Sequence, residues 1–559
     1  MFALRGGAGN RHSYNDPVHY IEGATKMKVL FVWPNKDSFN YKPINIPLLS
    51  AIAKKAGWES RLYHTSEIDF GFNIYTKSKE EAKIFKPVNF DNLNLEKQDI
   101  DLESHFIKAV EAFSPDLLAF SVLSEEHVIA EKISKISKSK FPDIPIIWGG
   151  KCPTLKPEKT MQQNDIDFIC VGEGLEAFEE FLDGMEGKRD IYNIRNIWAN
   201  KNGSIIKNTI RPLIKNLDQL PYVDWDIYDK RFFYKPFDGK IYIGGDHMFN
   251  WGCPYHCTYC INDYLHKMYD NKYFMRRYST ERIISELKFL TNKFDIEFYK
   301  FHDEDFLMRP LENLKELSVA YKKEVNIPFA IETNPHTITE EKVKLLKEMN
   351  CVSVGAAIET GDLELRKKLL RRVDSEKDII RAFRLLNEAG IRNSSFNILG
   401  IPHETRETYK KSIEINRSAG VQVPNILFFF PFEGTELREI AIKEGFFDPT
   451  DDTYVFNYDE PHLHFDSLTE EELIQMRLVF VLYVKLPEKF FPYIRRSEKV
   501  DELGSKLREK LLSIFDKTVF ENNGFFVEEG NSDRCIDELN FIVDEFGEKI
   551  DFEMGLNEI

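Results

Sequence analysis

Long hydrophobic runs are absent from this sequence. The longest uninterrupted apolar runs, such as residues 478–484 and 426–430, are far shorter than the roughly 20 residues that a membrane-spanning helix needs. The first 26 residues also lack the apolar core of a secretory signal peptide. The sequence therefore predicts no transmembrane segment and a cytoplasmic protein, and residues 1–26 are interpreted as an N-terminal extension.

Positive charge is also scarce. Lys and Arg number 75 against 92 Asp and Glu, and the net charge of −17 argues against general affinity for nucleic-acid backbones or anionic membranes. A content of 42% hydrophobic and 30% charged residues excludes a largely disordered chain. Because 559 residues are too many for one hydrophobic core, we expect several domains.

Cysteine is rare but clustered. Only seven cysteines occur, which excludes a disulfide framework, yet Cys253, Cys257 and Cys260 fall within eight residues at C-x3-C-x2-C spacing. A loop with this spacing can wrap three sulfurs around one iron–sulfur cube and leave one iron open to an outside molecule. The remaining cysteines stand alone in the sequence and are predicted not to be cluster ligands: Cys152, Cys170, Cys351 and Cys535.

A structural zinc site is the alternative interpretation of the same three cysteines. Zinc in such sites takes four ligands, so one more donor is required. His247, His256 and His266 lie nearby in the sequence and are candidates for it.

The first half of the chain alternates between strand-like and helix-like segments. Over residues 27–195 this alternation predicts an α/β, doubly wound (Rossmann-like) parallel sheet, interrupted by an irregular insertion over 71–101. Gly149-Gly150 and Gly172-Glu173 follow two of its strands, at the edge where such sheets bind ligands. They are also typical of tight strand-to-helix turns. Residues 196–240 are interpreted as a hairpin around Asn202-Gly203 and a linker.

A second alternating region covers residues 241–465. Six successive strand-like segments separated by helix patterns predict a partial (β/α)6 barrel with chemistry at the carboxyl ends of its strands. Thr280 and Ser375 are predicted helix N-caps, and Gly390 a helix stop. Residues 466–559 predict a mainly helical C-terminal region.

Residues 253–260, CPYHCTYC, resemble the signature of the radical S-adenosylmethionine (SAM) superfamily, including the aromatic Tyr259 before the third cysteine. Further segments resemble its strand-end motifs: FHDEDF at 301–306, AIETG at 357–361, LGIPHET at 399–405 and PFEGT at 431–435. The resemblance implies that Cys253, Cys257 and Cys260 hold a [4Fe-4S] cluster. Its open iron binds SAM, which is split to methionine and a 5'-deoxyadenosyl radical.

The resemblance also suggests SAM contacts, among them Tyr259. Carboxylates such as Asp303, Glu304 and Glu359 suit the ammonium and ribose hydroxyls of SAM, and a cation such as Arg372 suits its carboxylate. The alternative is that these strand-end acids are satisfied by neighbouring helices or lysines.

Residues 28–485 as a whole resemble the cobalamin-binding class of this superfamily, which contains methyltransferases and the anaerobic magnesium-protoporphyrin ester cyclase. The resemblance implies cobalamin at the first sheet, near Gly149, Gly150, Gly172 and Glu173. The sequence has no D-x-H-x-x-G motif, by which some cobalamin proteins supply a histidine to cobalt.

The function expected from this resemblance is cobalamin-dependent radical methyl transfer to an unactivated carbon, or to phosphorus. One SAM methylates cobalamin, and a second supplies the radical that activates the substrate. A small-molecule or peptide substrate and an external electron donor such as flavodoxin or ferredoxin are implied. The alternatives are a radical SAM cyclase, mutase or oxidoreductase without methyl transfer, and a non-catalytic zinc protein.

Overall fold

The computed structural model describes residues 26–39, 41–71, 80, 83, 86, 88–90, 93–163, 165–269, 274–450, 459–522, 524 and 532–550. The predicted N-terminal extension lies, except for Lys26, outside the described residues, and so does much of the predicted insertion over 71–101.

Sixteen strands are present in the described part of the chain. They are β1 Lys28–Trp33, β2 Glu59–His64, β3 Leu117–Ser121, β4 Ile146–Gly149, β5 Phe168–Cys170, β6 Ile197–Lys201, β7 Ser204–Ile206, β8 Tyr234–Phe237, β9 Lys240–His247, β10 Asn250–Trp251, β11 Arg276–Arg277, β12 Phe298–Phe301, β13 Phe329–Thr333, β14 Cys351–Glu359, β15 Arg392–Leu399 and β16 Val423–Phe428.

The α-helices connect and cover these strands. They are α1 Asn45–Lys55, α2 Leu102–Phe113, α3 His127–Lys140, α4 Lys151–Leu155, α5 Pro157–Met161, α6 Leu175–Met185, α7 Ile261–Met268, α8 Thr280–Phe294, α9 Leu311–Glu324, α10 Glu340–Glu348, α11 Glu376–Glu388, α12 Arg406–Ala419, α13 Glu436–Lys443, α14 Glu470–Lys485, α15 Phe491–Ser497, α16 Glu502–Phe515 and α17 Ser532–Glu545.

The first sheet has the strand order β2-β1-β3-β4-β5-β6-β7, and its first five strands are parallel. Both faces are covered, because alternate residues of β1 enter different cores. Phe31 packs in one core with α1 and α6, whereas Leu30 packs in the other with α2 and α3. The predicted doubly wound domain is confirmed, and the apolar run of β1 after Lys28 reflects burial on both faces.

One strand of this sheet, and the pairing of the predicted hairpin with the sheet, were not predicted from the sequence. The strand β2 (ESRLYH) is an edge strand with only one fully buried side chain, so its apolar signal is weak. The predicted hairpin around Asn202-Gly203 is present as β6 and β7, and β6 pairs antiparallel with β5. The first sheet therefore extends to Ile206, past the boundary predicted near residue 195.

The second sheet has the order β16-β15-β14-β13-β12-β9-β8. Six of its strands are parallel, and β8 pairs antiparallel with β9 at one edge. The predicted partial (β/α)6 barrel is confirmed. Parallel order brings the carboxyl ends of these strands, and the loops that follow them, to the same side.

Local signals set the helix ends. Ser375 caps α11 in a capping box, and Gly390, with φ of +65°, follows the end of that helix. The predicted cap at Thr280 is wrong by one residue, because the Ser279 side chain accepts from the Arg282 amide while Thr280 is the first helical residue.

The C-terminal region is helical, as predicted. Helix α14 packs against β16 and α12, and the Tyr409 hydroxyl donates to the Met476 carbonyl at 2.7 Å. This helix is buried nearly all round over its second half, which explains the apolar run at residues 478–484. Among the helices of the described residues, none has the length and apolarity that crossing a membrane requires.

Candidate cofactor site

The three clustered cysteines lie on a loop at the carboxyl end of β9. The short strands β10 and β11 pair antiparallel and bring the two ends of the loop region together, and Cys260 directly precedes α7. Thr258 fixes the middle of the loop, because its amide donates to the Leu370 carbonyl at 3.3 Å and its hydroxyl to Leu369 at 2.6 Å. The cysteine loop is thus bound to the segment that follows β14 as well as to its own strand, β9.

The histidines proposed as a fourth zinc ligand have other partners. The ring of His256 contacts Asp263 at 2.8 Å, His266 contacts the Cys253 carbonyl at 2.5 Å, and His247 lies 3.5 Å from Glu286. In the described part of the chain, no three His, Cys, Asp or Glu side chains converge on one metal-ion position. This arrangement does not favour zinc, whereas the thiolates of a cluster bind separate irons and need not converge on a point.

Burial affects the ionisation of the three thiols of the loop. Burial raises the pKa of the Cys253 and Cys260 thiols to about 12, and burial also raises that of Cys257, opposed by the Arg372 guanidinium. Such sulfurs ionise only beside strong positive charge, which bound iron supplies.

Arg372 lies at the end of a hydrogen-bonded chain that leads to the cysteine loop. Its guanidinium is 3.9 Å from the Cys257 sulfur and donates to Asp374 at 2.9 Å. Asp374 contacts the His336 ring at 2.7 Å, and His336 contacts the Tyr255 hydroxyl at 2.5 Å. Arg372, predicted as a SAM contact, is therefore also positioned to act on a cluster sulfur. Sequence reasoning missed Asp374 and His336, which no motif marks.

Tyr259 and Glu359 are brought together across the barrel mouth. The Tyr259 hydroxyl donates to the Glu359 carboxylate at 2.6 Å. Burial raises the pKa of Glu359, against the opposing effect of Arg372. Glu359 ends β14 with φ of +66°, next to an irregularity in the pairing with β15. Left-handed backbone at a non-glycine residue is costly, and it is found most often at functional sites.

Asp303 and Glu304 differ although they are adjacent. Asp303 is buried, and its carboxylate accepts from the amides of Phe249 and Asn250 at 3.1 and 2.6 Å, which fixes the chain where it enters the cysteine loop. Burial raises the pKa of Asp303 to about 6. Glu304 is exposed and accepts from the Asn262 side chain at 3.1 Å. Of the two, Glu304 has the carboxylate that a ligand can reach.

The glycines of the first sheet line an apolar cavity of about 320 Å³ at the carboxyl ends of its strands. Gly149, Gly150, Gly172 and Glu173 all lie on its wall, as predicted for a ligand at this edge. A side chain at Gly150 (φ +103°) would meet the Val122 carbonyl at 2.7 Å, and one at Gly172 (φ +84°) would meet the Tyr269 hydroxyl at 2.2 Å. Packing against the protein itself therefore also requires these glycines. The apolar walls and exposed backbone fit a large planar ring system.

Glu173 makes a buried ion pair with the second domain. Its carboxylate contacts both terminal nitrogens of Arg276 at 3.1 and 2.7 Å, and its amide donates to the Tyr269 hydroxyl at 2.6 Å. Arg276 is in β11 and Tyr269 follows α7, so Glu173 joins the first sheet to the segment carrying the cysteines. The sequence did not reveal these two partners, which lie about a hundred residues away along the chain.

A second cavity of about 410 Å³ lies between the two domains. Gly150, Gly172 and Glu173 form one side of it, and Gly252, Asn262 and Glu304 form the other. Seven residues, including Met248 and Trp251, line both this cavity and the apolar one, so the two spaces adjoin. Three of the four residues predicted for cobalamin and one residue predicted for SAM, Glu304, thus face one space. The other predicted residues do not line it: Gly149, Tyr259, Asp303, Glu359 and Arg372.

Comparison with known proteins agrees with this arrangement. Residues 250–415 match the family model of the radical SAM superfamily, and residues 36–182 match that of the B12 binding domain. The chain is 27% identical over 346 residues to an uncharacterized methyltransferase of Pyrococcus horikoshii, covering 61% of this chain and 72% of the relative. It is 21% identical over 512 residues to the anaerobic magnesium-protoporphyrin IX monomethyl ester cyclase of Rubrivivax gelatinosus, covering 89% and 84%.

Among solved structures, the chain is similar to the radical SAM methyltransferase TsrM of Kitasatospora setae with cobalamin and a [4Fe-4S] cluster bound. The TM-score is 0.57 at 17% identity, over 75% of this chain and 78% of that one. At this identity the likeness establishes the fold alone.

Proposed function

We propose that this chain, which is a cobalamin-binding radical SAM enzyme, transfers a methyl group from SAM to an unactivated carbon or to phosphorus. The observation that carries the proposal is the shared cavity of about 410 Å³, in which the glycine edge of the first domain faces the cysteine-loop side of the second. Methyl transfer through two cofactors requires both to face one protected space.

The proposed roles of the residues follow from their positions. Cys253, Cys257 and Cys260 hold the [4Fe-4S] cluster, and the Gly149-Gly150 and Gly172-Glu173 turns support cobalamin. When bound, the cluster would supply the electron that cleaves SAM, and cobalamin would carry the methyl group.

The proposed SAM contacts fall into two groups. Glu304 and Glu359 present carboxylates to the polar groups of SAM, with Tyr259 orienting Glu359. Asp303 and Arg372 act mainly by fixing the cysteine loop and by contacting the Cys257 sulfur.

Radical cyclisation without methyl transfer is the second candidate. The cyclase of Rubrivivax gelatinosus matches 89% of this chain, more than the methyltransferase of Pyrococcus horikoshii does at 61%. Methyl transfer is preferred because that methyltransferase has the higher identity, 27% against 21%.

The enzyme acts on a small molecule or a peptide and receives electrons from a donor such as flavodoxin or ferredoxin. The cytoplasmic location stays a prediction from the sequence.

The test is anaerobic reconstitution with iron, sulfide and hydroxocobalamin, followed by incubation with SAM and a reductant. We expect S-adenosylhomocysteine to form only when cobalamin is present, and 5'-deoxyadenosine to form with or without it. A Gly150→Trp variant, blocked at the glycine edge, serves as the control and should make only 5'-deoxyadenosine. Formation of 5'-deoxyadenosine alone by the fully loaded wild type would replace methyl transfer by the second candidate.

A further inference from the structure

The inner face of the second sheet forms a separate chamber of about 370 Å³. Alternate residues of its strands point into this space, so β15 contributes Arg392, Ser394 and Phe396. The loop after β1 closes one side with Tyr41. None of the residues predicted for the cluster, SAM or cobalamin lies on its wall.

Strand register places Lys300 and Arg392, two charged residues of this chamber, in one layer. Asp246 of β9 pairs with Lys300 of β12, and the layer continues through Ala330 and Ser353 to Arg392 of β15. Lys300 and Arg392 therefore stand on opposite sides of the same level of the half-barrel.

Arg392 has no anionic partner in the described part of the chain. Among the described residues no carboxylate forms an ion pair with its guanidinium within 4.0 Å, and the guanidinium lies 5.6 Å from the centre of the Phe237 ring. Burial lowers the pKa of Arg392, opposed by the more distant Asp238. A partly buried guanidinium aimed into a chamber without a carboxylate partner is a binding group for an anion.

The charged side chains of the chamber have both signs. Lys86, Lys235, Lys300 and Arg392 line it together with Asp37, Asp238 and Glu332. Because Asp246 behind the wall pairs with Lys235, the two signs are present in similar number, and the position of Arg392 decides where an anion can bind.

Two of these groups are held by neighbouring carboxylates. Behind the wall, Asp246 holds Lys235 at 2.8 Å and His302 at 2.6 Å. Lys300 uses one of its three donors on Glu332, at 2.7 Å.

We propose that Arg392 and Lys300 bind a carboxylate, phosphate or phosphonate group of the substrate at this level of the chamber. The inference rests on the proposed function, because it names the class of molecule on which that reaction acts. It assigns an anionic substrate to the enzyme.

The chamber also constrains the rest of the substrate. Phe396 lies four residues beyond Arg392, about 13 Å along β15, and Phe237 and Phe298 add apolar wall. Tyr41 lines both this chamber and the cavity beside the cysteine loop. A molecule anchored at Arg392 therefore extends past Phe396 and Tyr41 toward the cofactors, with an apolar body between its anionic end and the reacting atom.

Fluorinated probes test this inference on the full chain without SAM or reductant. The probes are 4-fluorobenzoate, 4-fluorophenylphosphonate and the neutral 4-fluorobenzamide, titrated by fluorine NMR. We expect at least one anion to bind about tenfold more tightly than the amide, because a charged hydrogen bond is involved. Tighter binding of 4-fluorobenzoate would indicate a carboxylate substrate, and tighter binding of 4-fluorophenylphosphonate would indicate a phosphate or phosphonate substrate.

Two arginine variants locate the site. Arg392→Met should weaken binding of the preferred anion by about tenfold or more, and Arg392→Lys should restore part of it. Arg384→Met is the matched control, since Arg384 is an exposed residue of α11, 64% accessible and 3.7 Å from Glu388. It should bind like the wild type.

The inference fails if the amide binds as tightly as both anions, or if folded Arg392→Met binds like the wild type. If Arg392→Met does not fold, a competition experiment on the wild type tests the inference. Inorganic phosphate should displace the bound anionic probe. Lack of displacement overturns the inference. None of these readouts requires methyl transfer, so a failure of the proposed function is distinguishable from a failure of this site.

Discussion

The carboxyl edges of the two sheets consist of different types of residue. The edge of the first sheet has paired glycines and an apolar cavity whose walls include Phe31, Leu48 and Ile147. The edge of the second has thiols, carboxylates and the guanidinium of Arg372, which donates to Asp374 at 2.9 Å and lies 3.9 Å from the Cys257 sulfur. Parallel strand ends can thus form a site defined by shape or one defined by charge, and the residues after each strand decide which.

The comparison also explains where strain and burial are found. At the first edge the positive φ angles belong to Gly150, Gly172 and Asn196, residue types that adopt them at low cost. The second edge holds Glu359 at a φ of +66° and buries Asp303 and Glu404. We expect charge changes to damage the second edge and added side-chain volume to damage the first.

The largest expected effect is that of replacing Cys253, Cys257 and Cys260 together by Ala. The variant should lose the iron–sulfur cluster and all SAM cleavage, because no other described cysteine lies on the loop. Cobalamin binding at the first edge should stay within about twofold of the wild type. Iron and sulfide analysis with absorption spectroscopy measures both, and Cys351→Ala is the control that keeps the cluster. A triple variant with a reducible cluster would contradict the assignment.

Glu173→Gln should break the connection between the two edges. It leaves the Arg276 guanidinium, 7% exposed, without its carboxylate. Removing one partner of a buried pair costs about 3 kcal/mol in the free energy of unfolding, measured by chemical denaturation. Glu176→Gln is the matched control, because Glu176 is 53% exposed where it contacts Arg211. Equal stability of the two variants would show that the buried ion pair contributes no more to the free energy of unfolding than the exposed one.

Glu404 is a buried acid beside the second sheet, and its burial should make the stability of the protein depend on pH. It follows β15, and burial raises its pKa to about 7. Because the folded state holds this proton more tightly than the unfolded chain, the stabilisation is complete below pH 4.5 and is lost as pH rises to 7.

In the wild type we therefore expect the free energy of unfolding to decrease by about 2 kcal/mol between pH 5 and 7.5 because of Glu404. The Glu404→Gln variant should not show this decrease. Chemical denaturation at the two pH values measures this decrease in the free energy of unfolding. The control variant Glu407→Gln, at a site 63% exposed on α12, should show the same decrease as the wild type. An unchanged slope in Glu404→Gln is the result that speaks against a raised pKa.

Gly150→Ala and Gly149→Ala form a matched pair for the first edge. A methyl group at Gly150 would lie 2.7 Å from a backbone oxygen at a φ of +103°, whereas at Gly149 the nearest atom is 3.8 Å away. We expect the first substitution to cost about 1–3 kcal/mol of stability and to weaken cobalamin binding, and the second to do neither. Thermal unfolding and equilibrium dialysis with hydroxocobalamin measure the two effects. Similar behaviour of both variants would remove the steric argument.

The smallest expected effect is on the cluster's reduction potential. Asp374→Asn removes the negative charge that offsets Arg372, which lies 3.9 Å from the Cys257 sulfur, and should make the potential more positive by roughly 20–60 mV. Redox titration followed by electron paramagnetic resonance gives this value directly. Arg371→Gln is the control, since Arg371 is exposed and paired with Glu436. A potential that does not move would limit Asp374 to a structural role.

Local patterns in the sequence were sufficient for much of this arrangement. The cysteine spacing, the strand–helix alternation and the glycine turns each depend on residues a few positions apart, and they predicted both sheets and the glycine edge. The strand β2 was missed because its burial depends on one neighbour strand and not on its own composition.

Pairings between distant residues were not predictable in this way. Nothing near Glu173 indicates Arg276, and nothing near Asp303 shows that its oxygens accept from Phe249 and Asn250. The sequence identified acids and cations suited to SAM, but which of them are already used by the protein depends on tertiary packing.

The contact of Glu173 with Arg276 and Tyr269 limits how the enzyme can be engineered. A chimera that takes its first domain from one relative and its barrel from another would place a carboxylate, a guanidinium and a phenol of different origin at one buried junction. Exchange of cofactor domains therefore has to move these three residues as a unit. The match of these three residues at the junction, more than the linker between the sheets, therefore decides whether such a chimera can fold.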